Sequence, residues 1–327
     1  MTPRLRKRLR IAVGFAATGA FLGLFATQVD LGDAIHRFAA LPWWATVAGA
    51  AMVFVNLVFM SVRWRFLLRA GGYDVALWPL ARAAAVGQAG SNILPFRGGD
   101  VLRVESVRET GVSGFAVAGS LFAEKVLDGL TLAVWIVLGA VLIGRFGAVF
   151  TIGAVLLGLS AFGVVVLNLM ARHRDRVVRL TSAVDRRLRP EWQERAEESV
   201  SHFVSGLGAF ADRRLLGLAT LASLGMWLAD VVMYAIVGRA YDLPVGFGAY
   251  FLLEGVANLA LGIPAAAAGI GTFDYLTLVT AQGIDVPTRE ATPYVLTVHL
   301  LTVVPITLFG AVLLRRAFPL LHRPART

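Results

Sequence analysis

The sequence predicts an all-α integral membrane protein with about six transmembrane helices and two oppositely oriented re-entrant helical hairpins. Three observations lead to this class: the composition, a series of apolar runs of helical length, and the placement of the basic residues. Of the 327 residues, 57% are hydrophobic and 16% are charged, and the mean hydropathy is +0.71. These values lie outside the range of soluble globular domains, and continuous apolar runs favour helices over an outer-membrane barrel.

Six apolar runs approach the roughly 20 residues that cross about 30 Å of hydrocarbon. They are residues 11–29, 43–62, 130–143 with an extension back to 126, 148–170, 215–237 and 295–314. The first run follows five basic residues, as the apolar region of a secretory signal would. At about 19 residues it is longer than such a region, and no clear small-x-small cleavage site follows it, so we interpret it as the first span.

The basic residues form four clusters, at 4–10, 63–69, 172–189 and 315–326. The positive-inside rule places all four in the cytoplasm, and six crossings with both termini inside satisfy this placement. We attribute the net charge of +10 to topology and to contact with anionic lipids at the cytoplasmic face. Nucleic acid is not an expected partner, because a soluble basic domain with interleaved aromatics is missing. The chain has no cysteine, which excludes disulfides and thiolate metal sites.

Two weaker apolar segments, residues 77–94 and 246–263, end at Pro95 and Pro264 and are followed by glycines. If either segment crossed alone, the basic clusters on its two sides would face opposite compartments. Each segment is therefore predicted to enter and leave the membrane on the same face, as a re-entrant hairpin. Such a hairpin contains non-helical backbone at membrane depth, which is tolerated where protein or a water-filled cavity surrounds it. We expect one polytopic domain, 1–327, whose first half (1–171) holds a hairpin at about 75–122 and whose second half (214–327) holds one at about 245–284.

A weak internal repeat supports this division. The positions that correspond are Pro95, Gly98, Gly99, Asp100 and Gly111 in the first half, and Pro264, Gly269, Gly271, Asp274 and Gly283 in the second. Counting crossings gives the two hairpins opposite orientations, which is the inverted-topology repeat of many secondary transporters. Between the halves, residues 172–213 carry apolar residues at helical spacing among many charges. They predict one or two amphipathic helices on the inner surface, broken near Pro190, or alternatively a solvated connector.

Two stretches, PFRGGDVLRVESVRETGVSGFAVAGSLFAEKVLD and GIGTFDYLTLVTAQGI, resemble the signatures of the lysylphosphatidylglycerol synthase transmembrane-region family, also called flippase-like membrane proteins. The first signature, P-x-R-x-G-E-x-x-R followed by E-R-x-x-D, is matched at Pro95, Arg97, Gly99, Asp100, Arg103, Glu124, Lys125 and Asp128. The second, G-x-G-x-x-E followed by a glycine, is matched at Gly269, Gly271, Asp274 and Gly283. Aspartate replaces the usual glutamate at two of these positions, and Lys125 and His299 stand where arginine is usual. The resemblance implies translocation of a lipid or lipid-linked headgroup by a transport module without the fused aminoacyl-transfer domain.

A headgroup site is predicted at the first helix break. Arg97 and Arg103 suit bidentate binding of a phosphate, and a helix N-terminus at Gly98–Gly99 offers free N–H donors. The full candidate set for substrate binding is Arg97, Gly98, Gly99, Asp100, Arg103, Glu124, Lys125, Asp128, Glu254, Asn258, Gly269, Gly271 and Asp274. Three alternatives stay open: a solvated loop for the charges of 97–109, structural pairing of Glu124 and Asp128 with the arginines, and close helix packing by the Gly-x-Gly sequence.

Asp230 and His299 lie inside apolar runs and are the candidate coupling residues. An isolated aspartate at that depth costs several kcal/mol unless it is partnered or neutral. His299 is the expected partner and proton carrier, with a hydrogen-bonded packing role as the alternative.

The sequence holds no Walker A, HExxH or Gly-x-Ser-x-Gly motif and no carboxylate–histidine cluster with metal spacing. We therefore expect no enzyme activity, no cofactor and no metal. The leading hypothesis is translocation of a phosphate-bearing lipid or polyprenyl-phosphate carrier across the bacterial inner membrane by alternating access. The alternative is a non-transporting accessory protein that recruits a lipid-modifying enzyme or glycosyltransferase through residues 173–214.

Overall fold

A computed structural model of the protein describes residues 19–28, 31–93, 98–184, 190–262 and 267–321. Within these ranges every regular element is a helix, so the all-α class is confirmed. The helices are α1 (residues 19–26), α2 (Leu31–Ala39), α3 (Trp43–Ala70), α4 (Leu77–Ile93), α5 (Gly99–Arg108), α6 (Gly114–Leu142), α7 (Ala148–Arg172), α8 (Arg174–Val184), α9 (Pro190–Gly206), α10 (Arg213–Ala240), α11 (Gly248–Ala260), α12 (Thr272–Gly283) and α13 (Thr288–Leu321). Short 3₁₀ turns lie at Gly208–Phe210 and Ala267–Gly269.

Five of the helices are long and apolar enough to cross a membrane: α3, α6, α7, α10 and the Thr288–Leu314 part of α13. They coincide with five of the six predicted apolar runs, which confirms a multi-pass membrane protein. At 1.5 Å per residue, the 28 residues of α3 extend about 42 Å, more than the hydrocarbon thickness. Of the first predicted run, 11–29, the structure describes residues 19–28, which contain α1.

Two pairs of shorter helices stand where the hairpins were predicted. The helices α4 and α5 pack against each other, and so do α11 and α12. The helix α5 has 10 residues, α11 has 13 and α12 has 12, so each extends about 20 Å or less and is too short to cross alone. The long helix α6 begins at Gly114, so residues 114–122, which the sequence placed with the first hairpin, belong to that helix.

Glycines allow the backbones of α4 and α5 to touch. A Cβ atom built on Gly99 would lie 1.8 Å from the carbonyl oxygen of Gly87, and one built on Gly90 would lie 3.1 Å from the Cα of Gly99. The Gly98–Gly99 pair does mark the start of a helix, with Gly98 as its N-cap. The structure gives Gly99 a packing role as well, because any side chain there would push the two helices apart.

The helix α4 connects the two halves of the protein. It packs on α13, where Asn92 Nδ2 donates to Thr307 Oγ1 at 2.8 Å and where a Cβ on Gly310 would lie 2.4 Å from the carbonyl oxygen of Ala85. It also contacts the Ala267–Gly269 turn. The first helical hairpin therefore lies directly against the turn of the second.

The connector between the halves folds as two helices, α8 and α9, with α9 beginning at Pro190, as predicted. The apolar face of α9 packs on α6: a Cβ on Gly119 would lie 2.1 Å from the carbonyl oxygen of Phe203, and Val204 and Leu207 are buried. On α8, by contrast, Leu180 is 69% exposed. The connector is thus partly built into the helical bundle.

Candidate functional site

Four charged side chains from three helices meet inside the protein. Arg63 comes from α3, Arg103 from α5, and Glu124 and Asp128 from α6. Arg103 holds Glu124 with two hydrogen bonds, Nη1 to Oε2 at 2.8 Å and Nη2 to Oε1 at 3.1 Å. Arg63 donates from Nη1 to Asp128 Oδ1 at 2.5 Å and lies 3.4 Å from Glu124 Oε1 through Nη2. We call these four residues the charged cluster.

The charged cluster is buried and electrically balanced. Arg63, Arg103 and Glu124 are each at most 2% exposed, and the two guanidinium groups are matched by two carboxylates. Glu124 and Asp128 lie one turn apart on α6, as the sequence predicted, and both bind Arg63. Removal of one partner of such a buried pair leaves an uncompensated charge, which is far more costly than replacing both partners by apolar groups.

Neighbouring aromatic and hydroxyl groups complete the surroundings of the charged cluster. The guanidinium carbon of Arg103 lies 4.1 Å from the ring centroid of Trp64, a cation–π contact. Trp227 Nε1 donates to Asp128 Oδ1 at 3.2 Å, and Arg63 Nη1 donates to Ser223 Oγ at 3.3 Å. The missing Cβ of Gly87 leaves space for Arg103, since a Cβ there would lie 2.2 Å from the Cγ of the arginine.

Arg63 was missed by the sequence reasoning, which placed it in the cytoplasmic cluster 63–69. The structure places it seven residues before the end of α3, about 10 Å inside the helix. The missed signal is its helical face: Arg63 lies on the same face as Met60 and Leu67, which are buried. Arg65 and Arg69 instead reach the exposed Asp74 beyond the helix end.

The remaining candidates of the first hairpin are more peripheral. Arg97 lies outside the described residues. Asp100 Oδ1 lies 3.9 Å from Arg103 Nη1 and its side chain is 36% exposed, while Lys125 is exposed. Arg108 and Glu105 form an exposed pair at 3.1 Å on α5. The exposure of both side chains agrees with the solvated alternative for this pair.

The turn of the second hairpin is closed by its own side chains. Asp274 Oδ2 accepts from the backbone N–H of Gly271 at 2.9 Å, and Asp274 Oδ1 lies 2.7 Å from His299 Nδ1. His299 Nε2 lies 2.9 Å from the carbonyl oxygen of Ala268, and the ring stacks on Phe273 with centroids 4.4 Å apart. The Gly269 and Gly271 φ angles are +70° and +88°, values that favour glycine. The N–H of Gly271, one of the candidate substrate-binding residues, is thus occupied by Asp274.

Both ring nitrogens of His299 lie at hydrogen-bond distance from an oxygen atom, Nδ1 from Asp274 and Nε2 from the carbonyl oxygen of Ala268. The tautomer of the ring decides which of the two nitrogens donates. His299 thus connects the turn of the second hairpin to α13.

The expected pairing of Asp230 with His299 is wrong. Asp230 Oδ2 accepts from Asn56 Nδ2 at 2.9 Å, and Asn56 also donates to the carbonyl oxygen of Met226 at 3.2 Å. The physical reason is helix packing: α10 lies along α3, which brings Asn56 to Asp230, whereas His299 on α13 faces the turn of the second hairpin.

Glu254 and Asn258 form a separate buried pair on α11. Glu254 is fully buried, and its Oε1 accepts from Asn258 Nδ2, one turn along the helix, at 3.0 Å. Glu254 lies close enough to Asp230 and Asp128 for their charges to act on it. The structure thus brings Glu254 near the charged cluster without joining it to either arginine.

Two cavities open at the surface of the described residues. One of about 760 Å³ lies where the first hairpin ends and is lined by Tyr73, Val104, Arg108, residues 111–115, Ala118 and His202. Another of about 390 Å³ lies between α2 and α13, lined by Asp33, Ala34, Thr288, Arg289 and Thr292. Neither is lined by the charged cluster, and the part of the chain that the structure describes contains no group of three or more potential metal-binding side chains.

Comparison with known proteins identifies the family to which the sequence is similar. A sequence model of the lysylphosphatidylglycerol synthase transmembrane region matches residues 10–310. Glycosyltransferase AglD of Haloferax volcanii is 30% identical over 311 residues, which cover 83% of this chain and 48% of that protein. The chain therefore spans about half the length of the curated relative that it matches.

Proposed function

This chain belongs to the lysylphosphatidylglycerol synthase transmembrane family, and from that premise we propose that it moves the phosphate-bearing headgroup of a lipid or lipid-linked carrier across the membrane. The observation that carries the proposal is the charged cluster, which joins the first hairpin to two long apolar helices. Ionisable groups inside the membrane are expensive, and they usually mark substrate or ion pathways.

Exchange of anions at Arg103 is the proposed chemical step. A phosphate presents two oxygens to a guanidinium in the same way as a carboxylate, so a headgroup that reaches α5 can replace Glu124 at Arg103. Glu124 keeps a partner during the exchange, because Arg63 already lies 3.4 Å away. The carboxylate thus limits how tightly the headgroup binds and lets it leave.

The proposed topology has six crossings and two re-entrant hairpins that enter from opposite faces, with both termini in the cytoplasm of a bacterial inner membrane. The shortness of α5, α11 and α12 supports the hairpins, and the contact of α4 with the Ala267–Gly269 turn supports their meeting inside the protein. Headgroup exchange then alternates between the two faces as the hairpins move. The Asp274–His299 contact is proposed to hold the second turn in place.

Cysteine labelling is expected to show both ends of each hairpin on one face. The chain has no cysteine, so single replacements at the exposed positions Ala76, Glu109, Gly246 and Gly283 need no altered background. A membrane-impermeant maleimide added to intact cells should label the Gly246 and Gly283 variants, while the Ala76 and Glu109 variants react only after permeabilisation. If one end of a hairpin is labelled in intact cells and its other end only after permeabilisation, the segment is a full crossing and not a re-entrant hairpin.

Lipid scrambling in liposomes is expected to depend on Arg103. With headgroup-labelled phospholipids and a labelled polyprenyl phosphate, Arg103→Lys should slow movement by about tenfold or more, since a hydrogen bond to a charged group contributes about 1.5–3 kcal/mol and Lys cannot form the bidentate contact. Arg97→Ala, which removes the other predicted phosphate ligand, should also slow it. Arg108→Ala is the matched control, because Arg108 lies on the same helix and is 58% exposed.

The second candidate function is an accessory role, favoured by the name of the relative from Haloferax volcanii, a glycosyltransferase. The packing of α9 on α6 argues against a large recruiting surface on the connector, because it buries Val204 of α9. On α8, Leu180 is an exposed apolar side chain. If the protein moves neither probe, with or without a pH gradient, the transport proposal fails and the accessory role becomes the better explanation.

A further inference from the structure

Glu254 is a buried carboxyl group with one oxygen atom that lacks a partner among the described residues. It is 0% exposed, and its Oε2 has no hydrogen-bond partner among the described residues. The hydroxyl groups of Tyr234 and Tyr294, 1% and 0% exposed, are likewise unpartnered within the described ranges. The two tyrosine rings meet edge to face with centroids 6.4 Å apart.

Among the described residues, the groups whose charge acts on Glu254 are the acids Asp230 and Asp128. The helix α10 contributes Asp230 and Tyr234, and α6 contributes Asp128. Tyr294 comes from α13, and the acidic group of α12, Asp274, is bound to Gly271 and His299. The arginines of the charged cluster already have partners, because Arg103 is bound to Glu124 and Arg63 is bound to Asp128.

An ionised Glu254 would thus be a buried carboxylate among other acids, with one amide donor from Asn258. Burial of an unpaired charge is so unfavourable that such a group normally takes up a proton. A protonated carboxyl group carries no charge, so its burial avoids the large free-energy cost of an unpaired buried ion. A sodium ion is the alternative occupant, but the described side-chain partner of the carboxylate is the amide nitrogen of Asn258, a donor that cannot coordinate a cation.

We propose that Glu254 is a proton-binding site, protonated when the second hairpin is packed in the core and deprotonated when hairpin movement exposes the side chain to water. The step is a simple ionisation, in which the O–H bond of the carboxyl group breaks and the proton passes to water. This assigns Glu254 to proton binding in place of headgroup binding. The coupling of this ionisation to lipid movement rests on the proposed function. Proton binding by Glu254 does not depend on that function.

Thermal unfolding of the purified protein as a function of pH tests the site without any transport assay. A group that keeps its proton only in the folded state makes the free energy of unfolding fall as pH rises above the ordinary titration range of glutamate, about pH 4.3. The Tm of the wild type should therefore decrease with pH, and Glu254→Gln, which imitates the protonated form, should retain the low-pH Tm and lose most of the decrease.

Matched variants test whether Glu254 is the residue that holds the proton. Asp230→Asn and Asp274→Asn each remove one neighbouring carboxyl group and should leave the larger part of the slope in place. As a second measurement on the unaltered chain, dicyclohexylcarbodiimide, which reacts with protonated carboxyl groups in apolar surroundings, should form an adduct on the peptide that contains Glu254 and lose it in Glu254→Gln. Three results overturn the proposal: an unchanged slope in Glu254→Gln, a slope that vanishes only with Asp230 or Asp274, or protection of Glu254 from the reagent by sodium ions at constant pH.

Discussion

Replacement of Glu124 by alanine is expected to lower the free energy of unfolding by about 3–5 kcal/mol, the cost of breaking a buried ion pair. Glu124 accepts two hydrogen bonds from Arg103 and lies 3.4 Å from Arg63, and all three side chains are at most 2% exposed. Its loss leaves Arg103 without a close carboxylate in the core, since Asp100 is 3.9 Å away and partly exposed. Unfolding in detergent, followed by size-exclusion chromatography after heating, measures the effect as a lower Tm.

A double variant separates stability from transport. Arg103→Met with Glu124→Leu removes both charges together, and such replacements by apolar residues are often neutral or stabilising. Arg63 keeps Asp128 in this variant. We expect the double variant to recover most of the Tm lost in Glu124→Ala and still fail to move lipid. The control is Glu105→Ala, whose carboxylate is 67% exposed; if Glu124→Ala costs no more than this control, the charged cluster is not a structural element.

Among additions of a single methyl group in the first hairpin, Gly99→Ala is expected to lower the free energy of unfolding the most. A Cβ there would lie 1.8 Å from the carbonyl oxygen of Gly87 and 2.6 Å from the backbone nitrogen of Ser91. Overpacking typically costs about 1–3 kcal/mol, and a clash with backbone atoms cannot be relieved by a rotamer change, so we expect a loss at or above the upper end of that range. Because Arg103 lies on the same short helix, lipid movement should fall in parallel with Tm.

Gly217→Ala is the control for that substitution. Gly217 lies inside a long helix, α10, and a Cβ at this position would meet nothing within 4 Å. Alanine in an unobstructed helix should raise the free energy of unfolding by about 0.5–1 kcal/mol. Equal stability of the Gly99 and Gly217 variants would contradict the close packing of α4 on α5.

The membrane class and the helix positions could be predicted because their signals are local. The apolar runs at 43–62, 148–170 and 215–237 each lie within one long helix of the structure, since hydrocarbon thickness sets the number of apolar residues needed. The connector helices and the break near Pro190 were also predictable, because Pro is favoured at the first position of a helix and disrupts its interior. The spacing of Glu124 and Asp128 predicted that they share one face of a helix, and their pairing with an arginine was one of two alternatives.

The sequence by itself determined that this chain is a helical membrane protein, that its helices are interrupted near Pro95 and Pro264, and that charged side chains lie close to those breaks. Only the tertiary structure decided which side chains pair with one another. It placed Arg63 inside the core, bound His299 to Asp274, and left Glu254 Oε2 without a hydrogen-bond partner among the described residues. Helical periodicity shows which face of a helix is buried, whereas a partner depends on which other helix packs against that face. In a medium of low dielectric constant every buried charge needs compensation, and several pairings of the same residues satisfy that need equally well until the helices are packed.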